Sequence, residues 1–142
     1  MKSHRLKNCS LCNPSLYPSV WENKYFRVTL INDQHLPGYC RVESLEHITE
    51  MTDMETLKQN LCMSIVFKVE SVIRSFLQPE KINLASLGNI TPHLHWHIIP
   101  RYSNDSYFPD SIWSEKKRSE KMELRKSEEV ELMRLLRDIL SQ

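Results

Sequence analysis

The chain has 142 residues, 26% of them charged, and a net charge of +1, which fits one domain with no overall field drawing it to nucleic acid or membrane. Only two glycines occur, Gly38 and Gly88, which excludes glycine-rich phosphate cradles. No apolar run reaches bilayer length and Met1-Lys2-Ser3-His4-Arg5 carries no apolar signal core, so a cytoplasmic location is expected.

Residues 1–18 read as an irregular arm holding Cys9-Ser10-Leu11-Cys12, and His4 within it reads as solvated. In a reducing compartment a C-x-x-C pair serves as metal ligands or a redox couple, and alone it supplies half of a four-ligand zinc site. Val20 to Asn23 and Phe26 to Ile31 have strand character, separated by an Asn-Lys turn. A loop from Asn32 to Gly38 includes His35, read as solvated, and Tyr39 to Glu43 is a further strand. Thr52-x-x-Glu55 resembles a capping box, opening a helix whose stripe is Leu57, Leu61, Ile65, Val69, Val72 and Phe76 and which ends before Pro79. Lys81 to Leu87 is a strand, followed by a turn at Gly88 to Pro92 and a strand beginning at His93. From Ser114 onward the chain is highly charged, with Val130, Leu132, Leu135, Leu136, Ile139 and Leu140 suggesting a final amphipathic helix. This order predicts an α+β fold: an antiparallel β-meander with one long covering helix and a C-terminal helix. Residues 1–113 form the expected domain and residues 114–142 a charged helical tail.

The chemistry concentrates in His93-Leu94-His95-Trp96-His97-Ile98-Ile99-Pro100-Arg101. Strand alternation puts His93, His95 and His97 on one face, about 6.5 Å apart in succession, with Leu94, Trp96 and Ile98 anchoring the other face in a core. Such a row suits a phosphate chain or two ligands of a metal, and a neutral imidazole can attack phosphorus. Arg101 is a candidate phosphate contact, with a surface ion pair as its alternative.

This run resembles the signature of the histidine triad (HIT) superfamily, and Leu87-Gly88-Asn89-Ile90-Thr91-Pro92-His93 looks most like its bacterial diadenosine-tetraphosphate-hydrolase-like branch. The motif order extends the resemblance over roughly residues 5–113. It implies a HIT-like nucleotide-binding domain, a homodimer, and a nucleotide hydrolase acting on dinucleoside polyphosphates or related conjugates, in which His95 attacks the α-phosphorus to form a nucleotidyl-histidine that water then hydrolyses. His97 would then donate to the leaving oxygen and His93 would orient the site. Asn32 would hold the ribose, and Gly88, Asn89 and Thr91 would donate to phosphate, with no organic cofactor. Two departures stand out: Asn89 replaces the usual glutamine, and Tyr39 occupies the place of a histidine that supports the triad in some branches.

Zinc-bearing relatives imply a structural zinc held by Cys9, Cys12, His47 and His93, which would make His93 a ligand rather than a catalytic partner. Readings that remain open are a slow nucleotide-binding sensor, a nucleoside phosphoramidase and a metalloenzyme using His93 with His95 or His97. The expected ligand is a small nucleotide, with neither nucleic acid nor membrane as a partner.

Overall fold

The computed structural model describes residues 5–13 and 17–142; His4 and the outer part of the predicted arm fall outside them. Strands β1 (Ser19–Glu22), β2 (Phe26–Leu30), β3 (Cys40–Ser44), β4 (Lys81–Ala85) and β5 (His95–Arg101) form one antiparallel sheet in the order β1-β2-β3-β5-β4. Helices α1 (Thr56–Leu77) and α2 (Lys126–Leu140) complete the α+β fold. The first three strands form the expected meander. β4 and β5 form a hairpin whose second strand, not its first, docks on β3, so the histidine strand is interior.

Register explains why one face of the sheet is polar. Val42 lies opposite Trp96 and Cys40 opposite Ile98, and these residues join Phe26, Val28, Leu30 and Ile82 on the face covered by the helices. Alternation then sends Arg27, Thr29, Arg41, Glu43, His95 and His97 to the helix-free face. That second face is roofed by loops, where Ile31, Leu36, Tyr39 and Ile99 form a smaller apolar cluster with Tyr17, Tyr107 and Ile112.

Three local expectations need correction. α1 starts at Thr56, not Thr52, because a 3-10 turn over Met51–Asp53 precedes it, capped reciprocally by Glu50 and Asp53. Its buried residues are Cys62, Ile65, Val66, Val69 and Ile73, so the stripe is rotated from the predicted one, and Leu57 stands exposed. The C-terminal segment also shares the main core: Leu132 and Leu136 are fully buried in the same cluster as the sheet residues, and Arg137 Nε donates to the carbonyl of Val20 at 2.9 Å. Residues on both sides of the expected boundary at residue 113 therefore contribute to one hydrophobic core. α1 ends as predicted, with Gln78 in the left-handed region just before Pro79. No helix among the described residues is long and apolar enough to cross a membrane.

Candidate functional site

His95 and His97 extend from β5 on the roofed polar face, with ring centroids 4.8 Å apart. His93 precedes the strand, in a bend where its N–H donates to Thr91 O at 2.8 Å and Leu94 N donates to Ile48 O at 2.7 Å. The expected row of three is thus a row of two, with the first imidazole turned elsewhere. Strand parity fails for His93 because the extended backbone begins only at His95.

Each ring has its tautomer set by its partner. His95 Nδ1 lies 2.6 Å from the carbonyl oxygen of His93, which only accepts, so Nδ1 carries the proton. His95 Nε2 is left with its lone pair and has no partner among the described residues. His97 Nδ1 faces the hydroxyl of Tyr39. Burial pushes that phenol well above its ordinary range, so it stays protonated and donates. The His97 proton is therefore on Nε2. Burial first, then the positive fields of His95 and Arg41, hold His97 down to about 4, so it is a neutral N–H donor at neutral pH. Trp113 sits edge-on to His97, ring centroids 5.0 Å apart, and remains 51% exposed.

A second cluster adjoins the first through His93. Its Nε2 lies 2.6 Å from the carbonyl of Ser44 and must donate, which leaves the Nδ1 lone pair facing Cys9 Sγ at 3.4 Å and Cys12 Sγ at 3.5 Å. His47 Nδ1 is 3.3 Å from Cys12 Sγ, and the four ligand atoms all lie within 4.8 Å of one another. Zinc–sulfur bonds of about 2.3 Å and zinc–nitrogen bonds of about 2.0–2.1 Å at a tetrahedral angle separate S and N by about 3.5–3.6 Å. The observed spacings are close to that tetrahedral edge. The His93 N–H bonded to a carbonyl is also the support that metal-bound histidines usually have. The residues present fit zinc. All four cysteines, including buried Cys40 and Cys62, are free thiols.

The remaining sequence-predicted residues scatter. Gly88, at φ +79°, and half-buried Thr91 belong to the loop that feeds β5, and Thr91 lines a cavity of about 290 Å³ with Cys9 and His47. Asn89 is exposed and bonds to no other described residue. Asn32 is exposed on a separate cavity of about 370 Å³, shared with Asp33, Gln34, Glu123 and Glu129. Arg101 is buried and fully engaged: Nε to Asp105 Oδ2 at 2.9 Å, Nη1 to Asn83 at 2.8 Å and Nη2 to the carbonyl of Asp110 at 2.7 Å. Its alternative reading, an ion pair, is what the structure contains, buried rather than at the surface. His35, expected to be solvated, is half-buried with Nδ1 2.9 Å from Ser106 Oγ.

Sequence reasoning passed over the partners of the triad on neighbouring strands. Glu43, fully buried, lies opposite His95, and Arg41 lies opposite His97. Glu43 Oε2 accepts from Arg27 Nε at 2.9 Å, and Oε1 accepts from Thr29 Oγ1 and Arg41 Nε, each at 3.0 Å. The available signal was period two: Arg27 and Thr29 on β2, and Arg41 and Glu43 on β3, alternate with core residues as the histidines do.

The HIT domain family matches residues 18–104. Two proteins of Mycobacterium tuberculosis strains named AP-4-A phosphorylase are each 27% identical over 78 residues, a match spanning 51% of this chain and 40% of theirs. The match thus spans well under half the length of those relatives. Among solved structures, a histidine triad protein from Bradyrhizobium japonicum aligns with TM-score 0.73 and 22% identity over 87% of this chain and 90% of that one. One from Marinobacter aquaeolei gives TM-score 0.71 and 22% identity over 89% and 90%. A Zn-bound histidine triad family protein from Mycobacterium smegmatis gives 0.62 and 20% identity over 95% and 94%. The family match covers more than half of the chain and these folds agree with its own: it belongs to the HIT domain family.

Proposed function

We propose that this chain cleaves nucleotides at the α-phosphorus, with dinucleoside polyphosphates or related nucleotide conjugates as substrates. The observation that carries the reading is the pair of opposed tautomers on one roofed face. His95 offers an Nε2 lone pair held in place by the His93 carbonyl, and His97 offers an Nε2–H held by Tyr39.

In the first step His95 Nε2 attacks the α-phosphorus, the P–O bond to the leaving phosphate breaks, and a nucleotidyl-histidine forms. The His97 N–H hydrogen-bonds to the oxygen on which charge develops, a contribution of about 10²–10³ in rate for a well-placed donor. Water then attacks the same phosphorus, breaks the P–N bond and regenerates His95. Tyr39 occupies the supporting position with a hydroxyl that donates to His97, which favours turnover over a binding-only sensor. A neutral amine leaving group, as in a nucleoside phosphoramidate, would suit the same pair.

The M. tuberculosis relatives are named as phosphorylases, which supports a second reading in which inorganic phosphate replaces water. The first step on diadenosine tetraphosphate releases ATP either way, and the second then yields AMP with water or ADP with phosphate. Product analysis by chromatography, with and without phosphate, separates the two. His95→Asn should abolish turnover while leaving nucleotide affinity within about tenfold, because the lost step is chemical. A variant that keeps the parent kcat would refute the nucleophile. We further propose that zinc occupies the cluster of Cys9, Cys12, His47 and His93 as a structural ion, with the Zn-bound M. smegmatis neighbour as support.

A further inference from the structure

The polar face carries a cation that the two-histidine chemistry does not use. Arg27, Glu43 and Arg41 place two guanidinium groups around one carboxylate. Arg27 is the inner partner: it binds Glu43 through Nε, donates from Nη2 to the carbonyl of Leu11 at 3.3 Å, and is buried. Glu43 is therefore already paired, and Thr29 fills part of its other oxygen. Arg41 adds Nε at 3.0 Å and Nη2 at 2.9 Å to that same Oε1, approaching side-on and spending both contacts on one atom. Its Nη1 has no hydrogen-bond partner among the described residues. The net charge of this group is +1, and it resides on the more open guanidinium, whose side chain is 17% exposed beside Tyr17, with the ring centroid 5.5 Å from Cζ.

Position gives this charge a direction. Arg41 stands directly across β3 and β5 from His97, where opposed Cβ atoms are about 4.5–5.5 Å apart. Its contact with Glu43 carries the guanidinium along the strand toward the level of His95. A planar fork with an unused Nη1, largely removed from water and sharing its one carboxylate with the guanidinium of Arg27, is the group best matched to phosphate oxygens. His97 reaches the leaving oxygen, and Arg41 lies alongside His97.

We propose that Arg41 forms the subsite for the phosphoryl group next to the one attacked, so that the site selects nucleotides with a polyphosphate chain over nucleoside monophosphates and neutral leaving groups. The inference rests on the α-phosphorus reading above. An incoming acceptor enters along the line that the leaving group vacates, so the same guanidinium would face a departing β-phosphate or an arriving inorganic phosphate. Glu43 is a positioning residue here, holding Arg41 against the sheet without touching substrate.

Calorimetry in the full-length His95→Asn chain tests this without turnover, using ATP and AMP as probes. ATP should bind about 10- to 100-fold more tightly than AMP, the range of one or two charge-assisted contacts. Adding Arg41→Gln should bring that ratio to within about threefold, and Arg41→Lys should retain an intermediate preference. Circular dichroism checks that each variant is folded. In chains with His95 intact, Arg41→Gln should cut kcat/KM for diadenosine tetraphosphate by about the same factor while adenosine phosphoramidate changes less than about threefold. A fall in the ADP:AMP product ratio at fixed phosphate assigns the acceptor role as well; an unchanged ratio restricts the subsite to the leaving group. An unaltered ATP:AMP affinity ratio in Arg41→Gln, or equal losses on both substrates, overturns the proposal. A parent chain inactive on both substrates, with the ATP preference still dependent on Arg41, would overturn the α-phosphorus chemistry and leave the subsite standing.

Discussion

At the scale of single residues, Tyr39 matters most, because it stands where part of the superfamily places a histidine. A phenol kept protonated by burial has one direction in which to donate, so it sets the His97 tautomer without exchanging a proton itself. Tyr39→Phe keeps the ring and deletes the donor, freeing His97 to place its proton on either nitrogen. We expect kcat to fall about tenfold to a hundredfold with KM changed less than about threefold, since the lost order acts on developing charge rather than on the bound ground state. Steady-state kinetics on diadenosine tetraphosphate decides it, and a loss carried by KM alone would mean that Tyr39 only shapes the pocket. Tyr39 as the odd position was legible in the sequence. Its hydroxyl bond to His97 was not, because 58 residues separate them and only the pairing of β3 with β5 brings them together.

At the scale of elements, the loop after β5 is fixed from within by Asp105. Its buried carboxylate accepts from Arg101, from Tyr102 N at 3.0 Å, from Tyr107 N at 2.9 Å and from Phe108 N at 2.8 Å. Burial alone would raise this carboxyl; the Arg101 guanidinium and the three backbone N–H groups outweigh it and hold the group below its ordinary range. Asp105→Asn should cost about 3 kcal/mol, measured by urea denaturation, because it leaves the buried Arg101 charge uncompensated. It should also lower kcat, because the loop carries Trp113 to the edge of His97; a variant as stable as the parent would refute the hub. The strands, the long helix and the alternation around His95 were readable because periods of 2 and 3.6 are local properties of the chain. Arg101 was not, since its partner appears only when the chain folds back four residues later, and His93 was misplaced because nothing local marks where a strand begins.

At the scale of the whole molecule, two distant segments are joined through side chains rather than a sheet. Cys9 and Cys12 reach His47 and His93, pinning the N-terminal segment against the entrance of β5. A metal there acts as a cross-link, and its binding free energy is partly folding free energy. Elemental analysis of protein purified without chelator should find close to one zinc per chain. Cys9→Ser with Cys12→Ser should remove it and lower Tm by about 10 °C or more, as a loss of several kcal/mol does at this chain length. Metal-free parent protein, or a variant of unchanged Tm, would discard the ion. The four residues were legible from the superfamily resemblance, while their convergence required the fold. The apolar stripe of the terminal helix is legible in the sequence, but its target is not: Leu132, Leu136 and Leu140 pack into the same core as the sheet residues, a partner that only the fold supplies.

The acceptor that orients His95, the proposed nucleophile, is a main-chain carbonyl, and so it lies beyond the reach of side-chain mutagenesis. Replacing His93 with alanine deletes an imidazole from the thiol cluster yet leaves its C=O facing His95. Whatever activity such a variant loses is then a measure of the clamp and not of the tautomer lock. A natural drift at position 93 would dismantle the cluster of thiols and imidazoles while leaving the acceptor for His95 Nδ1 in place, so within a lineage the two features are free to be lost separately.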